Sequence, residues 1–574
     1  MSRRFSSGNI INAREWNIFW SALPQEIKTG LLIGGVGAPH LLALAARAMQ
    51  LSSEDGPKAV FLMSLGRELL LAAWESDPLN GVLAAQLLQF QAKLSGSSAW
   101  LDEGLVALLA AIKAHYREPA EQSYYKRLIS RGDFSKIFSF LETQLEREPS
   151  LFWLAQARSL AITEAAMDWF LNRLDKALAA VSAQANVAAV FKYIKSSLCY
   201  GLDRKDEAFS LLATLPRYSS WLAPLELNSR VLWERGDHER ASLLWRQILK
   251  TRPWQTNLIL NAHDFLSSKD KACSNELSGR VALLIYSWNK DRFLDGCFNS
   301  LCASLDDWSF IVALDNGSTD DTFQIMSAWR ERFSRERMEI VRLPVNIGAP
   351  AARNWLMSLP VVRNNSDWAV FLDDDAEMPP DWLRHMAMSV KTYPRASVYG
   401  CKVRDALDST IIQSADLHLL PSRPEGKGQG EPFGLSTLHL QGIDLGQFDY
   451  IRPCLSVTGC CHMFRIGDLI KSGDFSLSLS PSQFDDLEHD LRMAARVFQD
   501  KAACYNGFLS IRHHNRTGRA GRRGPEEAGN ALGNRHKLYN MFSAEEIEGL
   551  VKTETEYLEA DLCAKVSALS DGSL

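Results

Sequence analysis

Trp368-Ala-Val-Phe-Leu-Asp-Asp-Asp-Ala-Glu-Met-Pro-Pro-Asp-Trp382 is an apolar run that ends in three consecutive carboxylates. Trp368 to Leu372 has the length and character of a buried strand, so Asp373, Asp374 and Asp375 stand where that strand surfaces. Three like charges crowded at one strand end repel one another and are tolerable where a cation neutralises them. An all-oxygen cluster of this kind suits a hard divalent ion such as Mg2+ or Mn2+. The competing reading is an acidic strand-to-helix turn, with one Asp capping the helix that follows. The sequence on either side has to separate the two.

Upstream, strands and helices alternate. Val281-Ala-Leu-Leu-Ile-Tyr-Ser287 is a continuous apolar run of the kind buried on both faces of a parallel sheet. Phe293 to Leu305 reads as a helix, Trp308 to Leu314 as a second strand and Thr322 to Arg332 as a helix. Glu339 to Leu343 is a third strand and Ala349 to Leu359 a helix that leads into the opening run. The alternation predicts an α/β domain with a Rossmann-like, mostly parallel sheet and right-handed crossovers. Ligands on such sheets bind at the carboxyl ends of the strands, where the three Asp residues fall.

Two other polar loops fall at strand ends as well. Asp315-Asn-Gly-Ser-Thr-Asp320 offers carboxylate, amide and hydroxyl groups suited to a nucleoside. In Asn346-Ile-Gly-Ala-Pro-Ala-Ala-Arg-Asn354, Gly348 allows close backbone approach, and Arg353, one turn into a helix, can reach a phosphate or base. Each alone also reads as a simple turn or a capped helix; their order ahead of the Asp cluster is what makes them specific.

The N-terminal half has a different texture. From about residue 15 to 270, Leu, Ala, Glu, Arg and Trp recur at helical spacing, with Gly and Pro as punctuation. Gly132-Asp-Phe-Ser-Lys-Ile-Phe-Ser-Phe-Leu-Glu-Thr-Gln-Leu-Glu-Arg-Glu-Pro149 has the same length and frame as the Gly236 to Pro253 stretch. The two glycines lie about three periods of ~34 residues apart, and Ala208 lies about one period before Ala241. The phrases resemble tetratricopeptide repeats, which implies stacked helical hairpins; a non-repetitive bundle is the alternative. Gly34-Gly-Val-Gly37 lacks the preceding strand and full spacing of a dinucleotide loop. The expected division is a helical region at 1–115, helical repeats at 116–270, the α/β domain at 279–542 and an amphipathic C-terminal helix within 543–574, docked on the α/β domain.

Composition excludes several classes. Apolar residues make up 46% and charged residues 23% of the 574, ordinary for a globular chain. A net charge of -5 gives no support to nucleic-acid binding. Met1-Ser-Arg-Arg-Phe-Ser-Ser7 is not followed by the apolar core of a signal peptide, and Gly104 to Ile112 falls well short of the ~20 residues a spanning helix needs. A cytoplasmic chain without a transmembrane segment is expected, a place at the cytosolic face of a membrane being compatible. Ten cysteines without CxxC pairs predict reduced, mostly buried thiols.

Taken together, Tyr286-Ser-Trp-Asn289, the 315–320 turn, the 346–354 loop, Asp373-Asp-Asp375 and Pro379-Pro-Asp-Trp-Leu383 resemble the family-2 glycosyltransferases of GT-A fold. The resemblance covers roughly 280–515. Ser287 departs from it, standing near a position where Thr or Pro is commoner. It implies donor contacts at Tyr286, Asn289, Asp315, Asn346, Gly348, Arg353, Asp373 and Asp374, and a divalent metal on Asp375 and Asp373. Val457-Thr-Gly-Cys-Cys-His-Met-Phe-Arg465 resembles the acceptor-side strand, with Gly459 leaving room for a pyranose beside Cys460. Phe484-Asp-Asp-Leu-Glu-His-Asp-Leu-Arg492 matches the family's acidic pair and following helix. Asp485 and His489 depart from it in residue type. The match implies Asp486, ahead of Asp485, as base for the acceptor hydroxyl, with Glu488 on the acceptor side; a charge at the helix start also favours the dipole. Phe508 to Gly518 resembles the last site strand, which implies a metal-ligating His513, with His514 as the alternative. Arg516, Arg519, Arg522 and Arg523 suit a lid over the diphosphate, or a solvated basic loop.

The implied function is metal-dependent inverting transfer of a sugar from a nucleoside diphosphate donor to a hydroxyl of a glycan, a lipid-linked glycan or a protein. The helical repeats would offer a surface to a protein partner. A catalytically silent sugar-nucleotide-binding scaffold is the alternative from another class, and nucleotidyl transfer, which leaves 485–486 without a role, ranks below it.

Overall fold

A computed structural model describes residues 9–571 apart from 54–55, 57, 94–99, 148–149, 181–183, 275–276, 305–308, 422–430, 499–501 and 515–524. Its N-terminal half is helical: fifteen helices run from Ala13–Ala22 to Thr256–Leu266, and no strand occurs among the described residues there. The helices Ser123–Arg131 and Phe134–Arg147 meet at Gly132 (φ 62°), and Ala223–Glu234 and His238–Thr251 at Gly236 (φ 83°). Only a residue without Cβ takes this backbone freely, so both glycines of the repeated phrase form hairpin corners. Pro149, which closes the first phrase, lies outside the described residues.

Among the described residues twelve strands follow: β1 (Val281–Ser287), β2 (Ser309–Asp315), β3 (Met338–Arg342), β4 (Trp368–Asp373), β5 (Ala376–Glu377), β6 (Val398–Asp405), β7 (Ile412–Ser414), β8 (Leu419–Pro421), β9 (Phe433–Leu435), β10 (Ile451–Cys454), β11 (Cys461–Arg465) and β12 (Ala503–His513). The main sheet has the order β10-β12-β6-β11-β4-β1-β2-β3, with β5 added to β12 and β7 to β6; β8 and β9 pair apart. β1 runs parallel to β2 and β4, and β2 to β3, while β11 lies antiparallel between β4 and β6. Trp308 and Leu305, the expected ends of a strand and a helix, lie outside the described residues.

Alternation along β1 sends Ala282 and Leu284 to one face and Leu283 and Ile285 to the other. The first face joins a core that includes Trp74, Trp221 and Trp245 of the helical half. The second buries Phe298, Trp329 and Trp382 of the helices Asp291–Cys302, Thr322–Phe333 and Trp382–Thr392. At about 1.5–3 kcal/mol for each large apolar side chain fully buried, both faces are committed to packing. Chemistry is left to the strand ends.

The two halves are joined by side chains bonded to backbone. Buried Arg452 donates from Nη1 to Leu32 O and from Nη2 to Ile33 O, both at 2.9 Å, satisfying carbonyls at the end of the helix Gln25–Ile33. Its Nε lies 2.5 Å from Asp416 Oδ2. Asn257 and Asn261 donate to Gln447 O (2.9 Å) and Asp449 O (2.6 Å). Gly34 to Gly37 belongs to this seam, with Gly35 N 2.8 Å from Asn257 Oδ1. The helix Ala544–Asp571 touches both halves. Lys565 Nζ lies 3.2 Å from Asp264 Oδ2 and 2.6 Å from Ile451 O, and Ile10 N donates to Leu569 O at 3.1 Å. All ten cysteines are free and seven are buried. Among the described residues no helix is long and apolar enough to cross a membrane.

Candidate active site

Strand register collects the polar residues. Pairing of β1 with β2 and β4 sets Ser287 opposite Asp315 and Tyr286 opposite Asp373, so three strands end at one rim. Asp315 is fully buried; its Oδ1 accepts the Ser318 N–H at 2.9 Å and Arg342 Nε stands 3.3 Å from its Oδ2. Asn346 Oδ1 accepts from Asn316 Nδ2 at 3.0 Å and from the Gly348 N–H at 2.8 Å. A Cβ on Gly317 (φ 73°) would meet the Val345 carbonyl carbon at 2.4 Å, so only glycine lets the 315–320 turn rest on the following loop. Asn289 Oδ1 accepts the Thr319 N–H at 2.8 Å. The structure thus ties Asn289, Asp315, Asn346 and Gly348 into one rim, with Tyr286 beside Asp373.

The Asp cluster has two counter-charges. Lys290 Nζ lies 2.7 Å from Asp375 Oδ2 and 3.9 Å from Asp374 Oδ1. His513 Nε2 lies 2.9 Å from Asp375 Oδ1 and 3.4 Å from Asp373 Oδ2. Gln413 fixes that imidazole: its Nε2 donates to His513 O at 2.8 Å, which orients the amide, and its Oε1 takes the His513 Nδ1 proton at 2.9 Å. Nε2 is thereby directed at the carboxylates. His514 departs from the cluster, its Nε2 2.7 Å from Glu377 Oε1. Cys460, expected at the acceptor side, has its Sγ within 4.8 Å of ligand atoms of Asp373 and His513. A carboxylate, an imidazole and a thiol converging in this way, with Asp375 joined to them through His513, fit a divalent cation.

Electrostatics separate the three carboxyls. Burial pushes Asp374 up to about 7, Asp375 and Asp373 adding to the rise and Lys290 opposing it. Burial acts in the same direction on Asp373 and Asp375, but His513, with Arg353 near Asp373 and Lys290 at Asp375, outweighs it and holds both below the usual carboxylate range. For His513 burial disfavours the charge, yet Cys460, Asp373 and Asp375 together hold its proton well above the ordinary value.

The second acidic element follows a strained turn. Gln483 (φ 80°) and Phe484 (φ 68°) both adopt left-handed backbone, at roughly 1–3 kcal/mol each. Asn534 holds the turn, its Nδ2 donating to Leu479 O (2.5 Å) and Ser482 O (2.8 Å), while Pro481 O accepts the Ala349 N–H at 2.7 Å. The turn delivers Asp485 and Asp486 to the start of the helix Asp485–Arg492, where the dipole favours negative charge. There they diverge. Asp485 is 3% exposed and its Oδ2 lies 2.8 Å from Nη1 of the equally buried Arg353; burial raises its carboxyl and Arg353 offsets part of the rise. Asp486 is half-buried, and its Oδ2 accepts the Gly459 N–H at 2.7 Å.

Three of the expected site residues have close protein partners. A Cβ on Gly459 would lie 2.6 Å from Arg353 Nη2 and 2.8 Å from Asp486 Oδ2, so the glycine lets both side chains approach the backbone. Arg353 is bonded to Asp485, with its guanidinium 5.3 Å from the Phe475 ring centre and 5.6 Å from that of Tyr286. Glu488 is committed to Arg492 at 2.8 Å, and Arg492 also donates to Ser472 O and Asp474 O. Arg516, Arg519, Arg522 and Arg523 lie outside the described residues. Sequence reasoning missed Lys290, Gln413 and Asn534. Lys290 directly follows Tyr286-Ser-Trp-Asn289, which was signal enough; the other two carry no local mark.

Residues 283–469 match the family model described as glycosyl transferase family 2. This stretch is a family-2 glycosyl transferase domain. The match takes in about a third of the chain and contains the rim, the Asp cluster, Gly459 and Cys460, while Asp485, Asp486 and His513 lie beyond it. No curated protein matches in sequence. Among solved structures, TarS from S. aureus overlaps at a TM-score of 0.27 and 15% identity, over 40% of this chain and 36% of that one. GalNAc-T7, crystallised with UDP, GalNAc and Mn2+, overlaps at 0.32 and 10% identity, over 45% of this chain and 49% of that one. TarS 1-349 in complex with UDP overlaps at 0.30 and 14% identity, over 47% and 69%. This chain therefore spans less than half the length of the first two.

Proposed function

We propose that the chain moves a glycosyl group from a nucleoside diphosphate sugar to a hydroxyl acceptor with inversion, using Mn2+ or Mg2+ held by Asp373, Asp375 and His513. What supports the reading above all is the split of the acidic pair. Asp485 is locked to Arg353, while half-buried Asp486 is held by the backbone N–H groups of Gly459 and Leu487 and would be the carboxylate that meets an acceptor. Asp486 would take the acceptor proton as that oxygen attacks the anomeric carbon and the bond to the diphosphate breaks. The rim of Tyr286, Asn289, Asp315, Asn346 and Gly348 would orient the nucleoside. Bound beside it, the ion would neutralise charge on the departing diphosphate. Asp374 supports the flanking pair, and Lys290 and Gln413 orient it.

The helical half we read as tetratricopeptide-like, presenting an acceptor or a protein partner to the site, in the cytoplasm or at the cytosolic face of a membrane. The test is thermal unfolding and turnover with a panel of sugar nucleotides, with and without Mn2+. One donor should protect the chain in an Mn2+-dependent manner and be turned over. Asp486→Asn should keep the protection and lose transfer; normal turnover in that variant overturns the assignment.

A further inference from the structure

We propose that Cys460 Sγ is a ligand of the divalent ion, which makes this a mixed sulfur, nitrogen and oxygen site with a preference for borderline-soft metals. The inference rests on the reading that Asp373, Asp375 and His513 hold an ion, and it asks what a fourth donor does to that site.

Backbone pairing places the thiol. β11 runs antiparallel to β4 with Cys461 opposite Leu372, and one residue further on the Asp373 N–H donates to Cys460 O at 3.2 Å. Cys461 is fully buried in the core with Leu372, whereas Cys460, just off the strand end, is half-buried beside Asp373. His513 arrives on β12 from the other side. The three offer a carboxylate oxygen, a sulfur and a ring nitrogen, all within 4.8 Å of one another. Metal bonds of ~2.3 Å to sulfur and ~2.0–2.1 Å to nitrogen or oxygen span such a group after a small closure. Thr458 Oγ1, 3.4 Å from Sγ, is the thiol's other polar neighbour and is a weak partner that leaves the sulfur available. Ligation needs the thiolate, so the incoming ion displaces the thiol proton to solvent.

The donor type decides the consequence. Sulfur adds far more affinity for Zn2+ or Co2+ than for Mg2+, because thiolate is a soft ligand and Mg2+ a hard ion. A site of carboxylates and imidazole alone would not discriminate so strongly. The thiol also becomes a reporter, since a sulfur bonded to metal is a poor nucleophile.

The experiment titrates Co2+ into the full chain. Visible d–d bands report Co2+ bound by any ligands, and a near-ultraviolet sulfur-to-cobalt charge-transfer band reports the thiolate. Both bands are expected in the unmodified chain and in Cys461→Ala, and the d–d bands alone in Cys460→Ser. Zn2+ affinity should fall at least about tenfold in Cys460→Ser, since loss of even a supporting partner lowers metal affinity ~10–100-fold, and Mg2+ affinity should move less. Bound Co2+ without charge transfer, or charge transfer that survives in Cys460→Ser, overturns the inference and leaves the metal reading intact. No Co2+ bands at all overturns both. If Cys460→Ser does not fold, iodoacetamide labelling of Cys460 in the unmodified chain decides: Zn2+ should slow it, and equal rates with and without Zn2+ overturn the inference.

Discussion

The two acidic clusters of this chain are neutralised in opposite ways. The strand-end group Asp373–Asp375 faces Lys290, an ammonium on a flexible stem, and His513, an imidazole able to give up its proton. The helix-start pair Asp485–Asp486 faces Arg353, a guanidinium that stays charged and is bonded to Asp485. Removable counter-charges can be exchanged for a metal ion. A permanent one keeps its partner and leaves the second carboxylate to the backbone N–H groups of Gly459 and Leu487, the setting in which we propose that it takes a proton. What each cluster can do follows from its counter-charge more than from its number of acids.

The sharpest way to break this comparison is Asp486→Asn, which should lower kcat ~10²–10⁴-fold while leaving Co2+ binding and melting unchanged. Equal loss of metal binding would merge the two clusters into one. Next, Arg353→Met leaves Asp485 buried and uncompensated and should lower stability in urea unfolding by about 3–5 kcal/mol. Adding Asp485→Asn should restore most of it, and no restoration would mean the pair is not what holds the helix start. On the other side, Gln413→Leu frees the His513 ring and should weaken metal binding ~10–100-fold at nearly constant kcat under saturating metal. An unchanged affinity would show that the amide does not direct Nε2.

The smallest effect concerns a permanent counter-charge remote from the site. Burial opposes ionisation of Asp416, but Arg452 and His418 outweigh it and hold the carboxyl well below the usual range. Its folded value lies below the ~3.9 of the unfolded chain, so the stability it adds is present at neutral pH and is lost as pH falls below about 4. The melting difference between the unmodified chain and Asp416→Asn should therefore shrink below that pH. A constant difference would sink the linkage.

The sheet was legible because strands buried on both faces are continuous apolar runs, and β1 spans the same residues, Val281–Ser287, in sequence and structure. Gly132 and Gly236 were legible because a hairpin corner with positive φ selects glycine. The counter-charges were not. Lys290 meets Asp375 across 85 residues, Gln413 meets His513 across 100 and Asn534 meets Ser482 across 52, distances at which local pattern carries no information. Cys460 was placed by its motif, whereas its neighbours come from β4 and β12. Glu488 is a different case: its partner Arg492 stands at i,i+4, a spacing open to reading from the start.

The helix Ala544–Asp571 bears on how the molecule comes to be folded. It is bonded to Ile10 just ahead of the first helix, to Asp264 near the end of the helical half and to Ile451 at the sheet edge. During synthesis those surfaces wait for this helix to emerge, and contacts of such long sequence separation form slowly. The helical half and the sheet domain should consequently unfold in one cooperative transition, since neither keeps a complete interface once that helix leaves.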